Sequence, residues 1–185
     1  VPTPGHKPLV HFTEGGERLP YKLEEFPDDS AYVNEVKATR LLKQLGYSEA
    51  GIQAILFNIE KEGGFNQNKL GIIAKVKGQF GSKTDETNVG AFQWKGPRLD
   101  SYIKWAKDKA INNLGANLLY MDRELQGGEE GGGMRKEYAA LHKLLKEKTQ
   151  ETLPWEQLAH EFARVYLRPA KENLERRGVP IKRNP

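Results

Sequence analysis

Cysteine is absent from the 185 residues, which excludes disulfides, thiolate metal sites and thiol redox chemistry while leaving the compartment open. No apolar run approaches the length of a membrane-spanning helix, so no membrane span is expected. The first residue is Val, and no basic segment followed by an apolar one marks a signal peptide, so export by the standard route is not expected from these residues. Histidines are few: His6 and His11 fall in an N-terminal stretch without periodicity and His142 in a charged helix, so no metal cluster is expected. The stretch HEFAR at 160–164 begins like a zinc-protease helix, but Arg164 stands where the second His is needed. A Gly-x-Ser-x-Gly nucleophile elbow is missing, and GGEEGGG at 127–133 lacks the Gly-Lys-Ser/Thr ending of a phosphate cradle. No cofactor is expected.

Apolar residues make up 37% of the chain, with seven Phe, seven Tyr and three Trp, enough to build one ordinary core and to exclude disorder. A formal charge of +4 and a pI near 9.1 favour an anionic partner, for which nucleic acid, a membrane surface and the acidic bacterial wall all qualify. Residues 1–27, rich in Pro, Gly and charge, read as an extended arm or linker; one globular domain is expected over 28–185. Val33, Val36, Leu41, Leu42 and Leu45 follow a helical spacing that Gly46 stops. Ser48 can then cap a second helix striped by Ile52, Ile55, Leu56 and Ile59 and ended by Gly63 and Gly64. Between 65 and 96 glycines punctuate short β-prone pieces such as GIIAKV and VGAFQW, which predicts a small hairpin lobe. Helices return after Pro97, then near 116–126, 134–147 and 153–168, with a short basic tail helix beyond. The expected fold class is therefore mainly α, of α+β type, with a small β-hairpin lobe directly after the second helix.

The chemistry turns on NIEKEGGFN at 58–66, where Glu62 is the last polar residue before two glycines. A carboxyl at a helix C-terminus meets the negative end of the dipole and unpaired carbonyls, and both favour its protonated form. If Phe65 and its neighbours desolvate it further, its pKa should rise toward what a general acid near neutral pH requires. Such a proton releases the sugar oxygen in glycoside cleavage. The plain alternative is a solvated helix-end residue, the ordinary situation for a Glu. At about 100° per residue, Glu60 and Glu62 flank the apolar stripe on opposite sides, so helical angle alone does not choose between them.

The downstream context does. Asn58, Glu62, Gly64, Phe65 and Asn66, then Gly90, Phe92, Gln93, Trp94 and Arg98, and finally EFARVYLRP at 161–169, form an ordered set. That set resembles the phage tail lysozyme family and, more loosely, the lysozyme-like superfamily of goose-type lysozymes and lytic transglycosylases, over roughly residues 33–177. The resemblance implies a lysozyme-like helical domain in which Glu62 is the catalytic acid on the β-1,4 bond between N-acetylmuramic acid and N-acetylglucosamine. It also implies a substrate groove involving Asn66, Gly90, Gln93, Trp94, Arg98, Tyr102 and Tyr166. Trp94 and Tyr102 offer either apolar faces for sugars or ordinary core packing; Arg98 offers an anion site, a brace for the lobe or a structural ion pair. The implied partner is peptidoglycan and the implied setting a phage virion acting on the host wall, with the arm available to contact other virion proteins.

Inverting hydrolysis needs a base to activate water. Asp85 is preferred and Glu86 lies beside it, on the lobe expected to face Glu62. A transglycosylase would need neither, because the sugar's own 6-hydroxyl closes the product ring. Gly63 stands where the family usually has Ser, Gln67 where Pro is frequent, and Leu167 where many relatives have an acid before Arg-Pro. An inactive wall-binding virion domain is therefore a second reading. A third comes from a different class: LLKQLGYSEAGIQAIL has the helix, Gly-containing turn and second helix of a helix-turn-helix. That second helix offers Glu49, Gln53, Asn58 and Glu60 with scarcely a positive charge before Lys61, a poor surface for phosphates, so no nucleic-acid partner is expected.

Overall fold

The computed structural model describes residues 31–62, 64–65, 90–106 and 114–182. The arm expected over 1–27, the domain start at 28 and most of the hairpin lobe, including Asn66, Asp85 and Glu86, lie outside the described residues. The rest is mainly helical, as expected: α1 (Ala31–Gln44), α2 (Glu49–Glu62), α3 (Gly96–Ala106), α4 (Leu114–Gly127), α5 (Arg135–Lys146), α6 (Trp155–Phe162), a π-helical turn over Ala163–Leu167, and α7 (Lys171–Leu174). No strand occurs among the described residues.

Local chemistry explains the first two boundaries. Gly46, at φ 94°, lets its own N–H reach the Lys43 carbonyl while Tyr47 N–H reaches that of Leu42. These two bonds satisfy carbonyls that α1 would otherwise leave unpaired. Two residues after Gly46 the Ser48 hydroxyl accepts the Gly51 N–H at 2.9 Å, capping α2 as its sequence predicts.

Ser48 also fastens α2 to α5. Its N–H and its hydroxyl both donate to the Leu145 carbonyl, at 3.1 and 3.0 Å. The same carbonyl sits so close to Gly51 that a Cβ there would lie 2.1 Å from it. A glycine inside a helix lowers intrinsic helix stability, and here it is what lets the end of α5 meet the α2 backbone.

At the centre runs α4, buried from Leu114 to Asp122 and again at Glu124 and Leu125. A helix hydrophobic on nearly every side belongs inside a core. Around it α1, α2, α3, α5 and α6 supply Leu41, Leu42, Ile55, Ile59, Tyr102, Tyr138 and Phe162. Among the described elements the most extensive contact is that of α2, which carries Glu62, with α6. One expected element differs: the helix foreseen over 153–168 is α-helical only to Phe162 and then widens. In the widened turn Arg168 N–H reaches the Ala163 carbonyl at 2.6 Å, five residues back. Arg168 closes it in a left-handed conformation, φ 52°.

Candidate active site

Glu62 is the last residue of α2, and its side chain is 15% exposed. Beyond it the chain turns: Gly64, at φ 83°, returns its N–H to the Ile59 carbonyl at 2.9 Å, and Phe65 enters the core. The Phe65 carbonyl accepts from the Asn34 amide at 3.0 Å, tying the exit of α2 to α1. The glycine and the aromatic after the acid thus turn the chain inward and leave the carboxyl at the rim of the core.

One turn back on α2, Asn58 is wholly buried. Its Nδ2 donates to the Ala54 and Ala159 carbonyls, each at 3.0 Å, which links α2 to α6 and leaves Oδ1 to accept. That oxygen accepts from Arg177 Nη1 at 3.1 Å, and the same nitrogen donates to Glu62 Oε1 at 2.9 Å. Arg177 is delivered by the tail beyond α7. Gly178 turns there at φ 90°, and Val179 N–H bonds the Glu156 carbonyl at 3.0 Å. A Cβ on Gly178 would lie 2.1 Å from that carbonyl, so the tail meets the start of α6 backbone to backbone. Sequence reading missed Arg177: it is one basic residue in a basic tail, and its partners lie more than a hundred residues away.

The GAFQW stretch forms a turn held from below by α4. Ala91 N–H donates to Asn117 Oδ1 at 2.8 Å, and Asn117 Nδ2 donates to the Tyr102 hydroxyl at 2.8 Å. Gly90, at φ 84°, has no room for a side chain, since a Cβ would stand 2.9 Å from Asn117 Oδ1. Gln93 is half-buried, adopts φ 53° and folds its amide back on the Gly90 carbonyl at 2.8 Å. Asn117 was also missed, although an Asn inside the apolar run LGANLLYM is a legible sign of a buried polar clamp.

For Trp94 and Tyr102, left open between groove and core, the structure shows core packing, and Tyr166, expected in the groove, is buried as well. Trp94, Tyr102 and Tyr166 are 2%, 0% and 0% exposed, so none offers a ring face to a sugar. Trp94 stacks on Tyr102 with centroids 4.5 Å apart and meets Tyr120 edge-on, while Tyr166 packs against Phe92, Phe162 and Tyr138. Aromatic area of this size is worth more inside a core than at a wet surface, and the core claims it.

Of the three roles open to Arg98, the structure shows the ion pair. Its Nη2 donates to Glu124 Oε1 at 3.1 Å, Nη1 donates to the Tyr166 carbonyl at 2.9 Å, Nε lies 3.5 Å from Glu129, and the guanidinium sits over the Tyr166 ring at 4.7 Å. The π-helical turn lets Tyr166 serve Arg98 with its carbonyl and donate its hydroxyl to Glu124 at 2.7 Å. Burial pushes the Glu124 carboxyl above the usual range, against the pull of Arg98 and Tyr166. Glu129, also burdened by burial, is held below that range by Tyr138, Arg168 and Arg98. The network ties α3, α4, α5 and the π-helical turn together.

Among the described residues no group of three or more His, Asp or Glu is placed to hold a metal ion, and no helix is long and apolar enough to cross a membrane. Compared with known families, residues 33–179 match the sequence model described as phage tail lysozyme. No curated protein and no solved structure matches the chain.

Proposed function

This chain belongs to the phage tail lysozyme family, and on that premise we propose that it cleaves the β-1,4 bond between N-acetylmuramic acid and N-acetylglucosamine in peptidoglycan, with Glu62 as proton donor. The observation that carries the reading is the setting of Glu62: an acid at the last position of α2, at the core rim, followed by a left-handed glycine and a buried Phe, beside a buried Asn and a buried Arg. Such an acid can hand its proton to the glycosidic oxygen as the bond to the anomeric carbon breaks. In the hydrolytic reading Asp85 activates the water that attacks the opposite face of the sugar, with Glu86 the neighbouring candidate. Asn66, Gly90 and Gln93 line the groove, and Arg98 serves as a brace behind it. The setting we propose is a phage virion, with the arm before residue 28 contacting other virion proteins.

The test is mass spectrometry of purified peptidoglycan after incubation with the wild-type chain and with Glu62→Gln. Reducing muropeptides from the wild type alone are expected, with the variant folded by circular dichroism. Products from both would remove Glu62 from the chemistry, and products from neither would replace the enzyme by a wall-binding domain. Anhydro-muropeptides would replace hydrolysis by transglycosylation. Asp85→Asn and Glu86→Gln, made separately, are expected to differ sharply in rate; equal mild effects would count against both.

A further inference from the structure

Arg177 is the one buried arginine among the described residues, with its side chain 9% exposed. Surface ion pairs contribute little to stability, and a buried one has to offset the desolvation of both charges. The protein nevertheless builds a specific seat for this side chain. Gly178 in a left-handed turn, its backbone pressed on Glu156, and the Val179 N–H bond hold the tail in place. Asn58, with both amide hydrogens committed to carbonyls of α2 and α6, turns only its oxygen toward the guanidinium. The two hydrogens on Arg177 Nη1 are thus divided between Asn58 Oδ1 and Glu62 Oε1.

We propose that Arg177 is the positioning residue for Glu62, selecting which carboxyl oxygen carries the proton that is transferred. The inference rests on Glu62 being the proton donor. A guanidinium has only donors, and in a protonated carboxyl the carbonyl oxygen accepts more strongly than the hydroxyl oxygen, so the 2.9 Å bond at Oε1 favours the acid form with its hydroxyl at the other oxygen. In that form Oε2 is the oxygen that carries the transferable proton, and rotation about the carboxyl group is restrained by the bond at Oε1. When the proton leaves, the new negative charge meets a cation already in place, with no side-chain movement required.

The experiment uses Arg177→Met, which keeps the stem and removes the charge, and Arg177→Lys, which restores a donor-only cation. Turnover of soluble glycan oligomers is read at each variant's own pH optimum, per folded molecule. For Arg177→Met, kcat is expected to fall about tenfold to a hundredfold, the scale of a misplaced catalytic group, with KM within about twofold. Arg177→Lys should recover part of that loss. A second measurement needs no activity: thermal unfolding of Arg177→Met, Glu62→Ala and the double variant, whose losses should be smaller together than their sum. An active wild type with unchanged kcat per folded molecule in Arg177→Met overturns the inference and leaves Glu62 as the acid. A wild type without turnover overturns both, and strictly additive thermal losses overturn the pairing itself.

Discussion

Asn117 uses both ends of its amide inside the protein, accepting from Ala91 N–H and donating to the Tyr102 hydroxyl, while Gly90 presses against it. The residue is 0% exposed, so bulk solvent offers no replacement partner. Asn117→Ala should therefore leave the buried Ala91 N–H without its acceptor, at a cost of about 1–3 kcal/mol, and remove the amide bond to the Tyr102 hydroxyl. A loss of about 3 kcal/mol in chemical denaturation is expected, and a loss below about 1 kcal/mol would show that the turn finds other partners. Asp122 has a comparable role lower on α4. It accepts from Tyr47 at 2.5 Å and Gln126 at 2.6 Å and lies 3.0 Å from His142 Nε2. Burial works against its charge, yet His142 and Tyr47 hold its carboxyl below the ordinary value of 3.8. Polar side chains on a buried helix are thus the points at which α4 is tied to the elements around it.

Between elements, the contact of α2 with α5 depends on a missing side chain. Gly51→Ala would raise intrinsic helix propensity by about 1 kcal/mol, but its Cβ would sit 2.1 Å from the Leu145 backbone carbonyl. The clash should dominate, because the end of α5 is also held by Ser48, and a net loss of about 2 kcal/mol is expected in the unfolding midpoint. A more stable Gly51→Ala would mean that α5 shifts freely. Much at this scale was legible in the sequence: Gly46 stops α1, Ser48 caps α2, and Ile52, Ile55 and Ile59 are buried as their spacing requires. The resemblance to the phage tail lysozyme family is what pointed to Glu62, Gly90, Gln93 and Arg98 in the sequence. What sequence left out is long-range. Nothing in ERRGVP says that Arg177 rather than Arg176 turns inward, because that depends on how Gly178 meets Glu156. Periodicity likewise could not tell whether Trp94, Tyr102 and Tyr166 faced a groove or a core, since both settings favour aromatics. Nor does a run such as ARVYL announce that its turn will widen by one residue.

For the whole molecule, the carboxylates set the response to acid. Asp122 and Glu129 bind protons less tightly folded than unfolded, so their contribution is fully present above their ordinary values of 3.8 and 4.5 and is lost as pH falls through their lower folded values. Glu124, raised by burial, acts in the opposite sense: its contribution is present at low pH and is lost as pH rises above 4.5. Glu147 on the surface is also lowered, through its hydrogen bonds to Thr149, so three carboxylates act against one. The thermal midpoint should drop as pH falls from about 5 to 3, and Asp122→Asn should flatten that slope while lowering stability at pH 7. Parallel slopes for the two proteins would show that Asp122 does not govern the limb. The pair that unites the two ends of the fold has a different consequence, one of time. Glu62 and Arg177 are 115 residues apart, and at about 5–20 residues per second a ribosome makes the acid roughly 6 to 23 seconds before its guanidinium. Throughout that interval α2 has all its residues while the charge opposite its last side chain does not yet exist. A nascent chain halted before residue 177 carries the acid without its partner, so the ion pair can form only after nearly all of the helical core has been translated.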